Sequence, residues 1–377
     1  MRIRPKCVVI FLLFLPTLEA YGASVKGVQT GITTSSGNGT VTVGITAVDT
    51  AKSFLLFQSR HNFNRPPGSM IRGRIASPTS LEFTRDTNES STMTIRWYVV
   101  EYASGVIVQR GSVTQSATII DVAITPVTAL NQAFVTCSKA PYDTDTSWGS
   151  DDPVLAELTS TSNVQFRVDN DNSDHTIWWQ VIEFTDAADI NVQKGSITTM
   201  TGATVSVTAN LTPAVDVNST FVLVGFLTPD TGSDVGARML RAELTDATTV
   251  TIDRSIAGND DITEIFWQAV ELKDGSVVQR GSENFPSGVA QRTVNISTVD
   301  TARAVAFASV QPAGGQNMGR SSYSGDDVIG VGSVTMDLTS TTVIMDRDNT
   351  AAPADIGWFV VEWGGRPRLL RWAEIEP

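Results

Sequence analysis

Hydrophobic and polar residues alternate with a period of two over much of the chain, which is the pattern of a strand with one buried face. The alternation is clearest in residues 40–48, 118–127, 204–212 and 293–299. Each of these stretches is followed by a more continuous apolar run, at 53–59, 133–138, 221–227 and 304–310, which indicates a strand buried on both faces. No stretch beyond residue 22 sustains the 3.6-residue period of a helix. The pattern therefore predicts an all-β fold.

Two short motifs repeat along the chain. V-Q-x-G begins at Val28, Val108, Val192 and Val278, and W-x-[VA]-x-E runs from Trp97 to Glu101, Trp179 to Glu183, Trp267 to Glu271 and Trp358 to Glu362. The motifs alternate strictly, so they delimit four units of about 85 residues. Each unit carries signals for six short strands, which is typical of β-sandwiches. We therefore predict an all-β fold of four tandem β-sandwich repeats joined by tight turns.

The predicted boundaries follow from these motifs and from the composition of the two ends. They are a signal peptide at 1–22, repeats at 23–104, 105–188, 189–274 and 275–363, and a basic tail at 364–377. The repeats follow each other without a Gly/Ser-rich or Pro-rich linker, so little hinge motion is expected between them. We expect either a stiff rod or a tightly packed cluster.

The junction sequences predict a hairpin between the last strand of one repeat and the first strand of the next. Residues such as Asp274-Gly275 are a strong two-residue turn signal between alternating runs. In that register Arg280 lies diagonal to Glu271, and Arg110 lies near Glu101, so each pair is expected to form an ion pair. The four motif tryptophans are expected in the core. Catalysis by the motif glutamates is the less favoured interpretation, because carboxylate catalysis needs two such groups facing each other.

The amino terminus resembles a secretion signal. Arg2, Arg4 and Lys6 precede the apolar run Cys7–Leu15, and small residues follow at 20, 22 and 23, where a signal peptidase could cut. A membrane anchor is the alternative, but nine apolar residues are too few to cross a bilayer. Removal of residues 1–22 leaves Cys137 as the single cysteine, so the protein would have no internal disulfide. We interpret Cys137 as a small buried residue.

The net charge of −13 argues against nucleic acid or an anionic membrane as the main partner. The sequence contains neither a nucleophile elbow nor a phosphate loop nor a zinc-protease motif. Its two histidines, His61 and His175, are expected at the surface. Calcium is a possible cofactor because Asp169, Asp171 and Asp174 space oxygen ligands as hard cations prefer. Trp148 and Tyr323, in long loops between the third and fourth strands, are candidate exposed ligand-binding aromatics.

The order of motifs resembles the H-type lectin domain, a small six-stranded β-sandwich that opens on a Q-x-G strand and closes on a Trp strand. In the second repeat these strands correspond to Val108-Gln109-Arg110-Gly111 and to Trp179…Glu183. The resemblance covers most of each repeat and implies a surface or sugar-binding role. The acidic residue after the Trp departs from the family pattern, and no sugar-binding residue of the family can be matched to a position here.

Three functional hypotheses follow. The first is a secreted, non-enzymatic structural or adhesive protein of the cell surface or extracellular matrix, whose partners are other protein subunits or surface glycans and which inserts into no membrane after signal cleavage. The second is a carbohydrate-binding, lectin-like protein. The third is a polysaccharide-degrading enzyme. Repetition favours the first, because weak contacts multiply when several sites are held together.

Overall fold

The computed structural model describes residues 22–63, 65–86, 92–141, 148–171, 175–229, 235–256, 262–312 and 329–364. The described chain is all-β, as the alternation predicts. It forms eight three-stranded antiparallel sheets in a repeating pattern. The signal segment 1–21, the tail 365–377, Asp174 and Tyr323 lie outside the described residues.

The strands fall into four consecutive groups of six, called groups I to IV. In each group the first, sixth and third strands form one sheet and the second, fifth and fourth form another. We call the first kind the Trp sheet, because its central strand carries the motif tryptophan, and the second kind the flanking sheet.

The strand bounds are as follows. Group I contains β1 (Ser24–Ser36), β2 (Gly39–Gly44), β3 (Ser53–Arg60), β4 (Arg72–Ser77), β5 (Ser80–Arg85) and β6 (Thr92–Ser104). Group II contains β7 (Val106–Thr114), β8 (Ile119–Ala123), β9 (Ala133–Ala140), β10 (Leu155–Ser160), β11 (Asn163–Arg167) and β12 (Thr176–Phe184). Group III contains β13 (Ile190–Ile197), β14 (Ser206–Asn210), β15 (Thr220–Leu227), β16 (Arg241–Asp246), β17 (Thr249–Asp253) and β18 (Glu264–Leu272). Group IV contains β19 (Val277–Phe285), β20 (Gln291–Asn295), β21 (Ala304–Pro312), β22 (Thr335–Leu338), β23 (Thr342–Asp346) and β24 (Ala354–Glu362).

Helical structure in the described residues is short. One helix spans Pro66–Ser69, and 3-10 turns span Thr50–Lys52, Leu130–Gln132, Val235–Ala237 and Ile329–Gly332. None of the helices in the described part of the chain has the length and apolar character that a membrane crossing requires.

The predicted hairpin between groups is wrong. Strand β6 pairs with β1 and β3, whereas β7 pairs with β12 of its own group. The first and last strands of each group therefore pair with each other, and the short turn at Gly105 passes the chain from one sheet to another. The turn signal is local, but the choice of strand partner depends on side-chain fit between distant strands.

Each Trp sheet packs apolar side chains against those of its flanking sheet. In group I one buried cluster joins Leu55 and Trp97 of the Trp sheet to Ile75, Leu81 and Phe83 of the flanking sheet. Burial of this apolar surface is the main force that holds the two sheets together.

The opposite faces of the four Trp sheets meet in one central core. Third strands contribute aromatic rings that pack edge to face, with ring centroids 6.3 Å apart for Phe54 and Phe134, 5.9 Å for Phe134 and Phe221, and 5.5 Å for Phe221 and Phe307. Trp363, which is fully buried, packs against Phe54 with the centroids 5.4 Å apart. The four groups are thus a packed cluster, and the alternative expectation of a rod is wrong.

The contacts between groups run in a closed circuit. In groups II to IV, the residue before the motif Trp contacts the fourth strand of the preceding group. In group I, the equivalent residue contacts the fourth strand of group IV, and this contact closes the circuit. At the I–IV contact, Arg96 pairs with Asp337 at 2.5 Å. At the II–I contact, the guanidinium of Arg74 lies 4.4 Å from the ring centre of Trp178.

The other two contacts of the circuit use apolar packing and close approach. Phe266 packs in a buried cluster with Leu155, which joins group III to group II. Gly357 lies so close to group III that an added methyl group would be 2.8 Å from the carbonyl oxygen of Ala242. One structural position therefore forms four chemically different contacts, which favours a single order of the groups.

Candidate functional site

The glycine of each V-Q-x-G motif lies directly beneath the motif tryptophan of the same group. The strand register pairs Gly31 with Trp97, Gly111 with Trp179, Gly195 with Trp267 and Gly281 with Trp358. A methyl group on these glycines would lie 2.5, 2.5, 2.9 and 2.7 Å from the indole Cζ2 atom, respectively. Only glycine leaves room for the ring, so the two motifs are complementary parts of one contact. All four indoles are buried.

The glutamine of the same motif closes a nearby loop with two hydrogen bonds. The side chain of Gln109 donates to the carbonyl of Thr125 at 2.7 Å and accepts from the amide of Thr125 at 2.9 Å. Gln29 makes the same two bonds with Thr46, and Gln279 makes them with Ser297. The V-Q-x-G pattern is therefore explained by packing and loop closure.

The motif glutamates hold turns that precede the third strands. Oε1 of Glu101, Glu183 and Glu271 accepts the backbone N–H of Asp49, Thr128 and Asp216 at 2.8, 2.6 and 2.9 Å, respectively. Glu362 instead pairs with Arg303 at 3.0 Å. Each carboxylate therefore has its own local network of contacts.

The predicted ion pairs of Glu101 with Arg110 and of Glu271 with Arg280 do not form. Glu101 pairs with Lys26 at 2.9 Å, and Glu271 pairs with Lys273 at 3.2 Å. Since β6 and β7 lie in different sheets, the arginines face the preceding group instead.

These arginines are contacts between groups. Arg110 donates to the carbonyl of Ser53 at 2.5 Å, and Arg280 donates to the carbonyls of Leu244 and Val217 at 3.0 and 2.7 Å. Lys194, at the equivalent position of group III, donates to the carbonyl of Leu158. The variable residue of V-Q-x-G thus links each of groups II to IV to the group before it.

The four third strands line a central cavity of about 510 Å³. Equivalent positions on these strands contribute Leu56, Thr136, Leu223 and Phe307 to its wall. Gln180 and Gln268 brace the wall, because their side-chain amides bond to both backbone groups of Leu55 and of Val135 at 2.9–3.0 Å. This volume is in the range of small-molecule sites. Sequence periodicity gave no signal for the cavity, because it requires all four groups.

Cys137 also lines this cavity. Burial raises the pKa of its thiol to about 12, so the thiol stays protonated at neutral pH and is a poor nucleophile. The strand position and the raised pKa agree with a packing role, but the residue is half-buried and not buried as the sequence predicts.

The acidic loops of group II lie side by side. The amides of Asp169 and Asn170 both donate to the carbonyl of Ser150, at 3.1 and 3.0 Å. Oδ2 of Asp169 accepts the hydroxyl of Thr263 at 2.5 Å, across the contact with group III, whereas Asp171 is exposed. Within the described ranges no group of three or more His, Cys, Asp or Glu side chains could hold a metal ion. Calcium binding stays a prediction, with Asp174 outside the described residues.

Trp148 is not exposed, contrary to the expectation for a ligand-binding aromatic. It is 8% accessible and packs with Val235 and Ile329, so loops of three groups meet at this ring. A ring buried in such a cluster does not present its face to a ligand. The comparable prediction for Tyr323 lies outside the described residues.

Both histidines are fully buried, so the expectation that they lie at the surface is wrong. Nε2 of His61 lies 2.7 Å from Oγ of Ser333, which joins group I to group IV, and its Nδ1 accepts the amide of Phe63. Burial, with the nearby charge of Arg85, lowers the pKa of His61 to about 3. Burial, with the charge of Lys139, lowers the pKa of His175 to about 3. Both rings are therefore neutral at physiological pH.

Comparison of the sequence with protein-family models and with curated proteins finds no match to either.

Proposed function

We propose that this chain is a secreted, non-enzymatic structural or adhesive protein, built from four tandem β-sandwich repeats closed into a ring. The repeats span residues 23–104, 105–188, 189–274 and 275–363. The same sheet order in all four groups and the shared apolar cluster of each sheet pair support the sandwich assignment. Secretion is proposed from the basic and apolar amino terminus.

The closure of the contact circuit is the observation that carries this proposal. Arg96 and Asp337 join the first group to the last, and Gln58 adds a hydrogen bond to the carbonyl of Ala308 at 3.1 Å. A ring with one common core holds its loops at fixed mutual distances. Such an array gains avidity for a repetitive surface, because each further contact becomes intramolecular.

The roles of the most regular ionisable residues support a scaffold over an enzyme. Glu101, Glu183 and Glu271 are each engaged by a backbone amide in a different group. A pair of carboxylates acting on one glycosidic bond needs both groups in a single cleft. The partners proposed here are other protein subunits or surface glycans.

The test is secretion and surface binding of the full chain. We expect the protein in the medium or on the cell surface, as compact four-lobed particles in electron micrographs, without hydrolysis of a polysaccharide panel. Asp337→Arg should loosen the ring and reduce surface retention, and the charge swap Arg96→Asp with Asp337→Arg should restore it. Retention in the cytoplasm, or hydrolysis of a polysaccharide, would contradict the proposal.

A carbohydrate-binding role is the second candidate, and the central cavity is the observation that favours it. The cavity combines Phe57 and Phe307 with Gln58, Ser59 and Ser138, which is the mixture of apolar and hydrogen-bonding groups that sugars need. A glycan-array screen tests this role. Leu223→Trp, which fills the cavity, should abolish a genuine signal, whereas Val205→Trp at an exposed position should leave it unchanged.

A further inference from the structure

Ala23, immediately before β1, has a buried backbone nitrogen next to a carboxylate. Its amide donates to Oδ2 of Asp189 at 2.7 Å, and the residue is only 1% accessible. It packs against Gly105, where an added methyl group would lie 2.4 Å from the Cα atom of Ala23. The start of group I is therefore seated between the turns that follow β6 and β12.

A second buried carboxylate lies beside Asp189. Asp274 accepts the hydroxyl of Tyr102 at 3.4 Å and the amide of Ser276 at 3.0 Å. Burial raises the pKa of Asp274, and the charge of Asp189 raises it further, so the two carboxylates repel each other in a low-dielectric setting. A positive charge at Ala23 would offset this repulsion and would strengthen the hydrogen bond to Asp189.

The sequence provides a way to place that charge. Ala20 and Gly22 are small residues at the third and first positions before Ala23, after the basic start and the apolar run. This is the pattern that signal peptidase cleaves, and it places the new terminus at Ala23. Gly22 also lies close to Asp189 in the folded chain, since a methyl group added at Gly22 would be 3.2 Å from Oδ1 of Asp189.

We propose that cleavage between Gly22 and Ala23 creates an α-ammonium group that forms a buried ion pair with Asp189 and locks the closed ring. Water adds across the peptide bond: the hydroxyl goes to the carbonyl carbon of Gly22, which leaves as a carboxylate, and the nitrogen of Ala23 becomes an ammonium. Cleavage acts on the extended chain during export, before Ala23 is buried. The inference rests on the proposed secretion.

The position of this ion pair connects processing to ring closure. Two residues further on, the amide of Val25 donates to the carbonyl of Gly364 at 3.1 Å, where the first and last groups meet. The amide of Gly364 in turn donates to Ser276 at 2.7 Å. Removal of residues 1–22 would therefore stabilise the contact between groups I and IV that closes the circuit. In the uncleaved chain this contact would be less stable.

The cleavage position is tested by amino-terminal sequencing of the protein released by a secreting host. We expect the sequence Ala-Ser-Val-Lys-Gly, beginning at Ala23. Ala20→Leu should block or shift the cut. Release with a different terminus would overturn the inference and leave secretion intact, whereas absence of release would refute the proposed location itself.

The ion pair is tested by comparing a chain that begins at Ala23 with one that begins at Thr17, each with and without Asp189→Asn. The asparagine still accepts an ordinary amide, so its effect in the longer chain should be small. In the chain that begins at Ala23, Asp189→Asn should raise the unfolding equilibrium constant at least about tenfold more than it does in the longer chain. Asp186→Asn, at an exposed aspartate of the same turn, should act equally in both. Equal effects of Asp189→Asn in the two chains would overturn the ion pair.

The pH dependence provides a second readout of the same pair. Burial lowers the pKa of an α-ammonium, but under this proposal the carboxylates of Asp189 and Asp274 outweigh that effect and raise the pKa above its ordinary value of about 8. If the pKa of the ammonium is higher in the folded state than in the unfolded chain, the ion pair stabilises the fold fully at a pH below the unfolded-state pKa. This stabilisation is lost as the pH rises through the folded-state pKa. The advantage of the chain that begins at Ala23 should therefore be largest at neutral pH and disappear in alkali. An advantage that stays constant across this range would contradict the assignment.

Discussion

Nη2 of Arg96 lies 2.5 Å from Oδ1 of Asp337, and this contact joins strand β6 to strand β22 although 241 residues separate them. It is the point where the first strand group meets the last. The next residue along β6, Trp97, packs inside its own group. Adjacent residues of β6 therefore make a contact between groups and a contact within one group. The hydroxyl of Tyr98 then donates to the carbonyl of Met336 at 2.8 Å, on the same β22 strand.

We expect the Arg96–Asp337 pair to contribute measurably to stability. Its arginine is largely buried and its aspartate partly exposed, so loss of either partner should lower the free energy of unfolding by about 1–2 kcal/mol. A double-mutant cycle with Arg96→Ala and Asp337→Ala in urea unfolding measures the coupling. Lys52→Ala with Asp49→Ala, an exposed pair within group I, is the control and should couple by less than about 1 kcal/mol.

Gly111 should tolerate no side chain while Trp179 is present. Gly111→Ala places a methyl group 2.5 Å from the indole, so it should lower the free energy of unfolding by about 1–3 kcal/mol. Gly44→Ala is the matched control, because its methyl group meets nothing within 4 Å, and it should be neutral or slightly stabilising. Thermal unfolding of both variants checks the prediction, and equal destabilisation would show that the Gly–Trp contact is unimportant.

Glu183 should stabilise the fold mainly because its side-chain oxygen accepts a hydrogen bond, and less because the side chain is charged. Glu183→Ala leaves the amide of Thr128 without this 2.6 Å partner and should cost about 1–3 kcal/mol of unfolding free energy. Glu183→Gln retains an oxygen at the same place and should cost less than about 1 kcal/mol. Urea unfolding distinguishes the two, and an equally large loss in the glutamine variant would assign the effect to charge.

The buried histidines should make the fold sensitive to acid. The folded-state pKa of His61 and of His175 is about 3, well below the value of 6.5 expected in the unfolded chain. Between these values the unfolded state binds more protons, so stability falls as the pH decreases, by about 1.4 kcal/mol per pH unit for each ring.

His61→Gln should remove about half of this slope. Glutamine retains a hydrogen-bonding group that could replace the contact of His61 with Ser333, so we expect the variant to fold at neutral pH. The loss of slope is measured by urea unfolding between pH 4 and pH 7. A slope unchanged in the variant would show that protonation of His61 does not contribute.

The sequence by itself determined the strand content, the position of many strands and the fourfold recurrence of the V-Q-x-G and W-x-[VA]-x-E motifs. These properties are local, because alternation of apolar residues reports which face of a strand is buried. The burial of Trp97, Trp179, Trp267 and Trp358 follows from the same logic. The prediction that Glu101 and Glu271 pair with arginines missed the partners that they have, which are lysines and backbone amides.

Only the tertiary structure decided which strands pair and where the groups meet. A short turn such as Ser104-Gly105 fits a hairpin, but β7 pairs with β12 because Gly111 leaves the space that Trp179 fills. Arg110 then faces the preceding group, and Arg96 finds Asp337 at the far end of the chain. These outcomes depend on shape and charge complementarity between residues distant in sequence, which periodicity and local turn chemistry do not encode.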